Sequence, residues 1–563
     1  MEKQTTRPLR ILRNLRRSGE VVAVLIKYGY GDLVDRLGIT PYLRLPARLW
    51  NKETPEHIAP LRRGERIRLA LEELGPTFVK FGQILSTRPD LIPDDILRDL
   101  SRLQEQVTPF ATSEAILAIE ECLGKKIDEV FSVFQQEPLG AGSLGQVYRA
   151  VLRPTDKHGP DEVVIKIRRP HVDKDVERDL LLMIDFSILI ARNIPESEVF
   201  DPVGLVEHFK RVIRREINFT REARAMQEFH RLFRDDATLY VPKVYSDYTH
   251  DSMLVIEYID GLKTNQLHTI PALDKRRDII ASNVARVFIK QTFDLGVFHA
   301  DPHPGNVRIL KNGTLCLLDY GIIGRLEERT RGLLIDLLCV IPERNVDKGV
   351  SVILKLGHPM HSVDRALLAV DFQDFVDAYF DVPLSQMNLG EILTDFVRIL
   401  SSHGIVCPAD LLLLIRALVG LEGAGRQLNP GFNLADVLLP SIKRLVRRRY
   451  HPKRMLRGAI NDLSRLIMTA QELPHDIHRT LDKLNRNDLR IHLHHEHLDR
   501  LITELDRSGN RIVIGLIISS MVVASALIIR TSPADSWISS IVFIISALLG
   551  MWLIYGIFRS GRL

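Results

Sequence analysis

The sequence has little cysteine, and the spacing of its cysteines excludes two common kinds of small domain. Four cysteines occur among 563 residues, and no two of them form a Cys-x-x-Cys pair. They are Cys122, Cys316, Cys339 and Cys407. A disulfide framework and a zinc ribbon are therefore not expected, and the count fits a reducing compartment.

An excess of charge of one sign is also absent. The 76 basic and 71 acidic side chains leave a net charge of +5, and apolar residues make up 45% of the chain. These ordinary globular values exclude a disordered, collagen-like or fully membrane-embedded chain. A basic cluster over 443–457 is interpreted either as a solvated helix face or as a surface that attracts anionic lipid headgroups. No nucleic-acid-binding motif accompanies it, so nucleic acid is not an expected partner.

The N-terminal sequence lacks an apolar run long enough for a secretion signal. The only candidate, Val21 to Ile26, has about six residues, whereas a signal-peptide core has about 7–15. We therefore expect the body of the protein to stay in the cytoplasm.

Two long uncharged runs occur near the C-terminus. Ile512 to Ile529 has about 18 residues and Trp537 to Phe558 about 22, and about 20 residues span a bilayer core. We predict two transmembrane helices over 511–563, the alternative being a buried helical hairpin in a soluble core. Basic residues flank both ends of this pair, and basic flanks prefer the cytoplasm. The expectation is a multi-pass protein of the inner (cytoplasmic) membrane with both termini inside.

Small residues recur at intervals of four in both runs, at Ser520 and Ala524 and at Ser546 and Gly550. Such spacing allows two membrane helices to approach closely. The contact would form either within the hairpin or between two copies of the chain, so an oligomer is one expectation.

Periodicity divides the rest of the chain into three parts. A helical pattern runs from Leu61 to about Gln135, and two strands are predicted over Gln146–Leu152 and Glu162–Ile167. Helical patterns return from Asp175. The predicted divisions are a helical extension over 1–135, a body over 136–470 whose small β-rich lobe reaches about 262, and a linker over 471–510.

A glycine-rich turn begins the β-rich part and follows the pattern G-x-G-x-x-G-x-V. Its candidate nucleotide-binding residues are Leu139, Gly140, Ala141, Gly142, Ser143, Leu144, Gly145, Gln146 and Val147. Glycines allow backbone N–H groups to approach phosphates closely. Because a strand rather than a helix follows, the pattern favours a kinase-type flap over a Rossmann site.

Lys166 ends the segment Val163-Val164-Ile165-Lys166, at the V-A-I-K position of the next predicted strand. A lysine in an apolar strand needs a partner, because an unpaired buried ammonium is costly. Phosphate oxygens of ATP and the carboxylate of Glu222 are the candidates; a solvent-facing lysine is the alternative.

The third segment contains the predicted catalytic residues. His299 to Asn306 follows the pattern H-x-D-x-x-x-x-N, and Asp319-Tyr320-Gly321 corresponds to D-F-G. We predict that Asp301 accepts the proton of the attacking oxygen and that Asn306 and Asp319 bind Mg²⁺. The three segments in this order predict an α+β, bilobal, protein-kinase-like fold that uses ATP and Mg²⁺.

An activation segment of the protein-kinase kind is missing. No Ala-Pro-Glu motif follows Gly321, and the helical pattern returns by about Arg329. Alanine also replaces arginine between His299 and Asp301. Phosphoryl transfer to a small molecule, or ATP hydrolysis itself, therefore fits better than transfer to a protein.

These motifs resemble the UbiB family of atypical kinase-like (aarF-domain) proteins, and its bacterial membrane-anchored members in particular. The resemblance runs from about Leu61 to the C-terminal hairpin. The K-x-G-Q motif of that family corresponds here to Lys80-Phe81-Gly82-Gln83. The resemblance implies that this segment folds over the cleft, where a peptide substrate would otherwise bind.

Two further motifs of the family are altered in this sequence. The E-x-D motif reads Glu216-Ile217-Asn218, so an asparagine replaces the second carboxylate. The nucleotide loop is rich in glycine where members usually have alanine. The resemblance implies regulatory roles for Lys80, Gly82, Gln83 and Glu216.

The resemblance also implies a pathway and partners. Members of the family support ubiquinone biosynthesis, so membrane lipids, quinone precursors and other ubiquinone-biosynthesis proteins are the expected partners. Two other hypotheses remain open at this point. One is a membrane-tethered kinase for a protein or a small molecule, and the other is a non-catalytic scaffold switched by nucleotide.

Overall fold

The computed structural model forms two compact units, 1–455 and 456–563. The residues it describes are 15–37, 58, 60–86, 88, 92–103, 109–154, 159–194, 201–360, 362–380, 389–449, 509, 512–524, 526, 527, 541, 544, 545, 547, 548 and 550.

The helices in the described part of the first unit are α1 Leu15–Lys27, α2 Gly31–Arg36, α3 Arg63–Leu74, α4 Pro76–Leu85, α5 Asp94–Leu100, α6 Thr112–Leu123, α7 Ile127–Val130, α8 Val172–Asn193, α9 Pro202–Glu216, α10 Phe219–Leu232, α11 Pro271–Asp274, α12 Arg277–Ile289, α13 Glu328–Glu343, α14 Val346–Leu356, α15 Arg365–Phe380, α16 Leu389–Ser402, α17 Ala409–Leu428 and α18 Leu434–Arg449. The strands are β1 Phe131–Phe134, β2 Gly140–Ala141, β3 Gly145–Leu152, β4 Glu162–Arg168, β5 Leu239–Tyr240, β6 Met253–Glu257, β7 Val297–His299, β8 Val307–Ile309, β9 Leu315–Leu317, β10 Ile323–Arg325, β11 His358–Pro359 and β12 Ile405–Val406.

The small lobe is built on an antiparallel sheet in the order β1-β3-β4-β6, with β2 paired to β3. Burial alternates along β3 and β4, so every second side chain faces the core below the sheet. Ile165 and Ile167 are fully buried on that face, and Lys166 between them points to the opposite face. The two strands predicted from the sequence are therefore confirmed.

The helical pattern expected up to Gln135 is wrong at its end, because Phe131–Phe134 forms the edge strand β1. This short segment pairs with β3 through Phe131 opposite Leu152. Burial of Phe131 under the sheet outweighs the local helical pattern, which ends with the single turn α7.

The large lobe places the predicted catalytic residues at the ends of short strands. Asp301 and Asn306 lie in the loop between β7 and β8, and Asp319 follows β9. β7 pairs with β10, and β9 lies between β5 and β8. α12 continues into a π-helical segment, Lys290–Leu295, directly before β7. One apolar core joins these strands to α12, α13, α14 and α17. The loop between β7 and β8 packs on this core through Ala300.

The N-terminal helices form a second apolar core with α8 and α9. Phe78 and Val79 of α4 pack there with Phe209 and Ile213 of α9. Gly82 lies close to this core: a Cβ at its position would be 2.4 Å from Cδ1 of Leu103, so the leucine side chain would have to shift to accept it.

Described parts of both C-terminal apolar runs are helical. They cover 512–524 and single positions from 526 to 550. A Cβ on Gly550 would lie 3.8 Å from Cγ2 of Ile518, so the two runs approach each other closely at this position. No helix among the described residues is both long and apolar enough to span a membrane. The remainder of the two predicted spans lies outside the described residues.

Candidate functional site

Lys166 lies in β4 on the cleft face of the small-lobe sheet, where two carboxylates bind its ammonium. Nζ donates hydrogen bonds to Oε2 of Glu222 at 2.8 Å and to Oδ2 of Asp319 at 3.2 Å. Glu222 comes from α10, and Asp319 follows β9 of the large lobe. The partner predicted for Lys166 is therefore present, and the two lobes meet at this lysine.

The charges of this triad stabilise one another. Burial alone would lower the pKa of Lys166, but the carboxylates of Asp319 and Glu222 outweigh it and raise that pKa above its ordinary value. Burial would raise the pKa of Asp319, but Lys166 and the N–H of Gly321 lower it well below its ordinary range. Burial also raises the pKa of Glu222, to about 7, even though Lys166 opposes this shift.

His299 connects the catalytic loop to the Asp319 segment through its imidazole. The backbone N–H of Asp301 donates to Nδ1 at 3.2 Å, so the ring proton is on Nε2, which donates to the carbonyl oxygen of Asp319. Burial lowers the pKa of His299, which favours this neutral form. The amide oxygen of Gln291, in the π-helical segment, accepts from the N–H of His299 at 3.1 Å. Sequence reasoning missed both roles.

Asp301 has three polar neighbours, Asn306, Arg416 and His303. Its backbone oxygen accepts from Nδ2 of Asn306 at 3.2 Å. Oδ1 lies 3.3 Å from Nη2 of Arg416, and Oδ2 lies 3.9 Å from Nε2 of His303. Sequence reasoning also missed Arg416; its only signal is that it is the one charge between Leu411 and Leu421 in α17.

Asn306 and Asp319 are suited to binding Mg²⁺. The amide nitrogen of Asn306 donates a hydrogen bond to the backbone oxygen of Asp301. The amide oxygen of Asn306 is therefore the atom that can bind a cation. Carboxylate and amide oxygens are hard ligands of the kind that Mg²⁺ prefers. No group of three or more His, Cys, Asp or Glu side chains in the described residues could hold a metal by itself.

The glycine-rich turn forms a tight hairpin above the cleft. The N–H of Gly142 donates to the carbonyl oxygen of Gly145 at 2.8 Å. Oγ of Ser143 is buried without a hydrogen-bond partner in the part of the chain that the structure describes. Leu144 is buried in the core of the N-terminal helices. The tip of the turn is thus anchored by its one large apolar side chain.

Two other residues of the turn, Leu139 and Gln146, have distinct surroundings. Leu139 is exposed, and β2 begins after it at Gly140. The side chain of Gln146 is buried, where it donates to the backbone oxygen of Phe110 and accepts from the hydroxyl of Tyr148. A contact of Gln146 with nucleotide would therefore use its backbone. Binding of nucleotide by this turn stays a prediction.

The segment Lys80–Gln83 lies in α4, which packs against α9, and its expected position over the cleft stays a prediction. Nζ of Lys80 is 2.6 Å from Oε1 of Glu216, and both side chains are mostly buried. Nε2 of Gln83 donates to the backbone oxygen of Leu103 at 3.2 Å. Oδ1 of Asn218, two residues after Glu216, is buried without a partner in the described structure. Asn218 directly precedes α10, which carries Glu222.

Comparison with known proteins gives three matches to family profiles. Residues 102–353 match the ABC1 atypical kinase-like domain, residues 372–433 the UbiB helical domain, and residues 496–559 the ABC1/UbiB kinase-like C-terminal domain.

Relatives match over nearly their whole length. A protein of Xanthomonas campestris pv. campestris (strain B100) named "Probable protein kinase UbiB" is 30% identical over 543 residues, which is 94% of this chain and 97% of the relative. An "Uncharacterized protein in hydrogenase 1 5'region" of Clostridium pasteurianum is 30% identical over 554 residues, 97% of this chain and 99% of the relative. A "Probable protein kinase UbiB" of Xylella fastidiosa (strain 9a5c) is 29% identical over 540 residues, 94% of this chain and 96% of the relative.

Proposed function

Because this chain belongs to the UbiB family of ABC1 atypical kinase-like proteins, we propose that it is an ATP- and Mg²⁺-dependent ATPase or atypical kinase that supports ubiquinone biosynthesis at a membrane. The observation that carries the proposal is the contact of Lys166 with both Glu222 and Asp319. This contact brings the two lobes together around the ammonium group of Lys166, where the phosphates of a nucleotide would bind.

Each residue of the site has a defined task in this proposal. Lys166, positioned by Glu222, binds phosphate oxygens, and Asp319 and Asn306 hold the metal. Asp301 accepts the proton of the attacking oxygen. Mg²⁺ bound to the triphosphate neutralises the charge that develops as the γ-phosphoryl group is transferred.

Two features favour water or a small molecule over a protein as the acceptor. β10 begins at Ile323, two residues after Gly321, and α13 begins at Glu328. This stretch is too short for the platform that positions a peptide in protein kinases. The names of the relatives make protein phosphorylation the second candidate. It predicts transfer of labelled phosphate to an added protein, lost in Asp301→Asn.

Attachment to the inner membrane through a C-terminal helical pair is part of the proposal. The two uncharged runs, their close approach at Ile518 and Gly550 and the match over 496–559 support it. Quinone precursors are apolar and partition into the bilayer, so a tethered catalytic body would meet them there. Membrane lipids and other proteins of the pathway are the proposed partners.

Cells that lack the gene and receive the wild type or a variant test this proposal. We expect ubiquinone to fall without the gene, to return with the wild type and to stay low with Asp301→Asn. Asp260→Asn, at an exposed surface pair with Lys311, is the control and should restore ubiquinone fully. Normal ubiquinone without the gene would refute the pathway, and full rescue by Asp301→Asn would refute catalysis.

A further inference from the structure

An arginine from outside the kinase-like domain contacts the catalytic aspartate. Nη2 of Arg416 lies 3.3 Å from Oδ1 of Asp301, and only 33% and 25% of the two side chains are exposed. Arg416 belongs to α17, within the stretch that matches the UbiB helical domain, whereas Asp301 lies in the kinase-like domain. The two domains therefore meet at the carboxylate on which turnover depends.

α17 packs directly against the loop that carries Asp301. Gly420 lies one helical turn after Arg416, so both residues are on the same face of α17. A Cβ added to Gly420 would be 3.7 Å from Cδ of Pro302 and 3.9 Å from the backbone nitrogen of His303. Arg416 thus comes from a helix that lies close enough to the loop for a single added methyl group to touch it.

The closest carboxylate oxygen to the guanidinium of Arg416 is Oδ1 of Asp301. Arg416 contacts Oδ1, whereas Oδ2 is 3.9 Å from Nε2 of His303, which is beyond hydrogen-bond length. Ala300 occupies the position at which protein kinases carry an arginine, so the loop supplies no guanidinium of its own here.

We propose that Arg416 is a positioning residue for Asp301, whose carboxylate it holds in the orientation in which Oδ2 accepts the proton of the attacking oxygen. In that step the attacking oxygen bonds to the γ-phosphorus, the bond to the leaving oxygen of ADP breaks, and the proton passes to Oδ2. The proposal rests on the proposed function, since it assigns a role in the same reaction. The helical domain then completes the catalytic centre of the kinase-like domain.

Turnover of ATP by the purified full chain in detergent, with Mg²⁺ present, tests this role. For Arg416→Met we expect kcat to fall about 10- to 100-fold, because a misplaced catalytic group costs up to about that much. KM for ATP should stay within about twofold, since Lys166 and the glycine-rich turn are unchanged. The control is Arg426→Met on the same helix, where Nη2 of Arg426 lies 2.6 Å from Oε1 of Glu422. Its kcat should stay within about twofold of the wild type.

A second variant protects the test against a folding defect. Arg416→Gln keeps a polar side chain, and at an unchanged melting temperature it should lose kcat to the same extent. The inference is overturned if kcat of a folded Arg416 variant equals or exceeds that of Arg426→Met, or if only KM for ATP changes. A wild type without ATP turnover would overturn the proposed function and this inference with it. If the wild type turns over ATP and the Arg416 variants do so at the same rate, the inference alone would be overturned.

Discussion

The two carboxylates on Lys166 are in different surroundings, and this difference gives them different tasks. The side chain of Glu222 is 6% exposed, whereas that of Asp319 is 44% exposed. Because burial raises the pKa of Glu222, its charge depends on the ammonium beside it. In the proposed function, the more exposed Asp319 would leave the lysine to bind the cation. Glu222 is thus the permanent partner of Lys166, and Asp319 is the exchangeable one.

Lys166→Met should weaken nucleotide binding and destabilise the fold. We expect KM for ATP to rise at least about tenfold, because the phosphates lose a charge-assisted contact. The free energy of unfolding should fall by about 1–3 kcal/mol, because Glu222 is left buried without its cation. Nucleotide titration and urea unfolding measure these effects. Lys311→Met, at an exposed pair with Asp260, is the control and should change neither quantity; equal behaviour of the two variants would contradict this account.

Two glycines of the glycine-rich turn, Gly145 and Gly140, have different amounts of space around them. A Cβ at Gly145 would lie 2.4 Å from the carbonyl oxygen of Ile167 in the neighbouring strand, whereas a Cβ at Gly140 would meet no atom within 4 Å. We therefore expect Gly145→Ala to lower the free energy of unfolding by about 1–3 kcal/mol, as overpacking does. Gly140→Ala should leave it nearly unchanged. Thermal and urea unfolding compare the two, and equal stability would show that the strand can move to accept the methyl group.

At the level of elements, local patterns predict strands and helices more readily than the contacts between them. β3 and β4 could be predicted because β-rich runs there flank a clear loop. β1 could not, because four residues after a single helical turn carry too little pattern of their own. The contact of α17 with the catalytic loop was also missed, because a helix that is apolar on most sides does not show which side faces the loop. Arg416 could therefore not be placed beside Asp301 from the sequence.

Leu144 packs the glycine-rich turn against the N-terminal helices. Since it is buried in their core, Leu144→Ala should lower the free energy of unfolding by about 2 kcal/mol and raise KM for ATP as the turn loosens. Leu139→Ala, at an exposed position of the same turn, is the matched control and should have little effect on either quantity. A loosened turn should also become more accessible to protease. If Leu144→Ala left KM unchanged, the anchor would be irrelevant to nucleotide binding.

The π-helical segment before the catalytic loop is fixed at its first residue by an ion pair between Lys290 and Asp236. Burial raises the pKa of Asp236, but the hydrogen bonds from Lys290 and Thr238 outweigh it and lower that pKa below its ordinary value. An acid whose pKa is lower in the folded than in the unfolded state contributes stability above its unfolded pKa, and this contribution is lost as pH falls through the folded pKa.

Asp236→Asn should therefore lower the free energy of unfolding by about 1 kcal/mol at pH 7. The difference from the wild type should shrink as pH falls below about 4, where the unfolded carboxyl takes up its proton. Urea unfolding at a series of pH values measures it. A difference that stayed constant down to pH 2 would show that the carboxylate charge contributes nothing.

At the scale of the whole molecule, the kinase-like character and the family could be predicted because their motifs are short and local. Lys166, Asp301, Asn306 and Asp319 each lie in such a motif. The match over 372–433 identifies a helical domain that sequence reasoning had treated as part of the larger lobe. Its importance follows from α17, whose Arg416 reaches Asp301, the proposed catalytic aspartate. The account therefore expects the two domains to act as one catalytic unit.

The central claim is that Lys166, Asp301, Asn306 and Asp319 act together on a magnesium-bound triphosphate. Release of phosphate from ATP by the purified full chain, with Mg²⁺ and after its removal by EDTA, tests this claim most directly. The account predicts turnover that requires Mg²⁺ and that Asp301→Asn and Asp319→Asn each lower by about 100-fold or more, with Asp260→Asn unaffected. Turnover that persists in EDTA, or in both active-site variants, would contradict it.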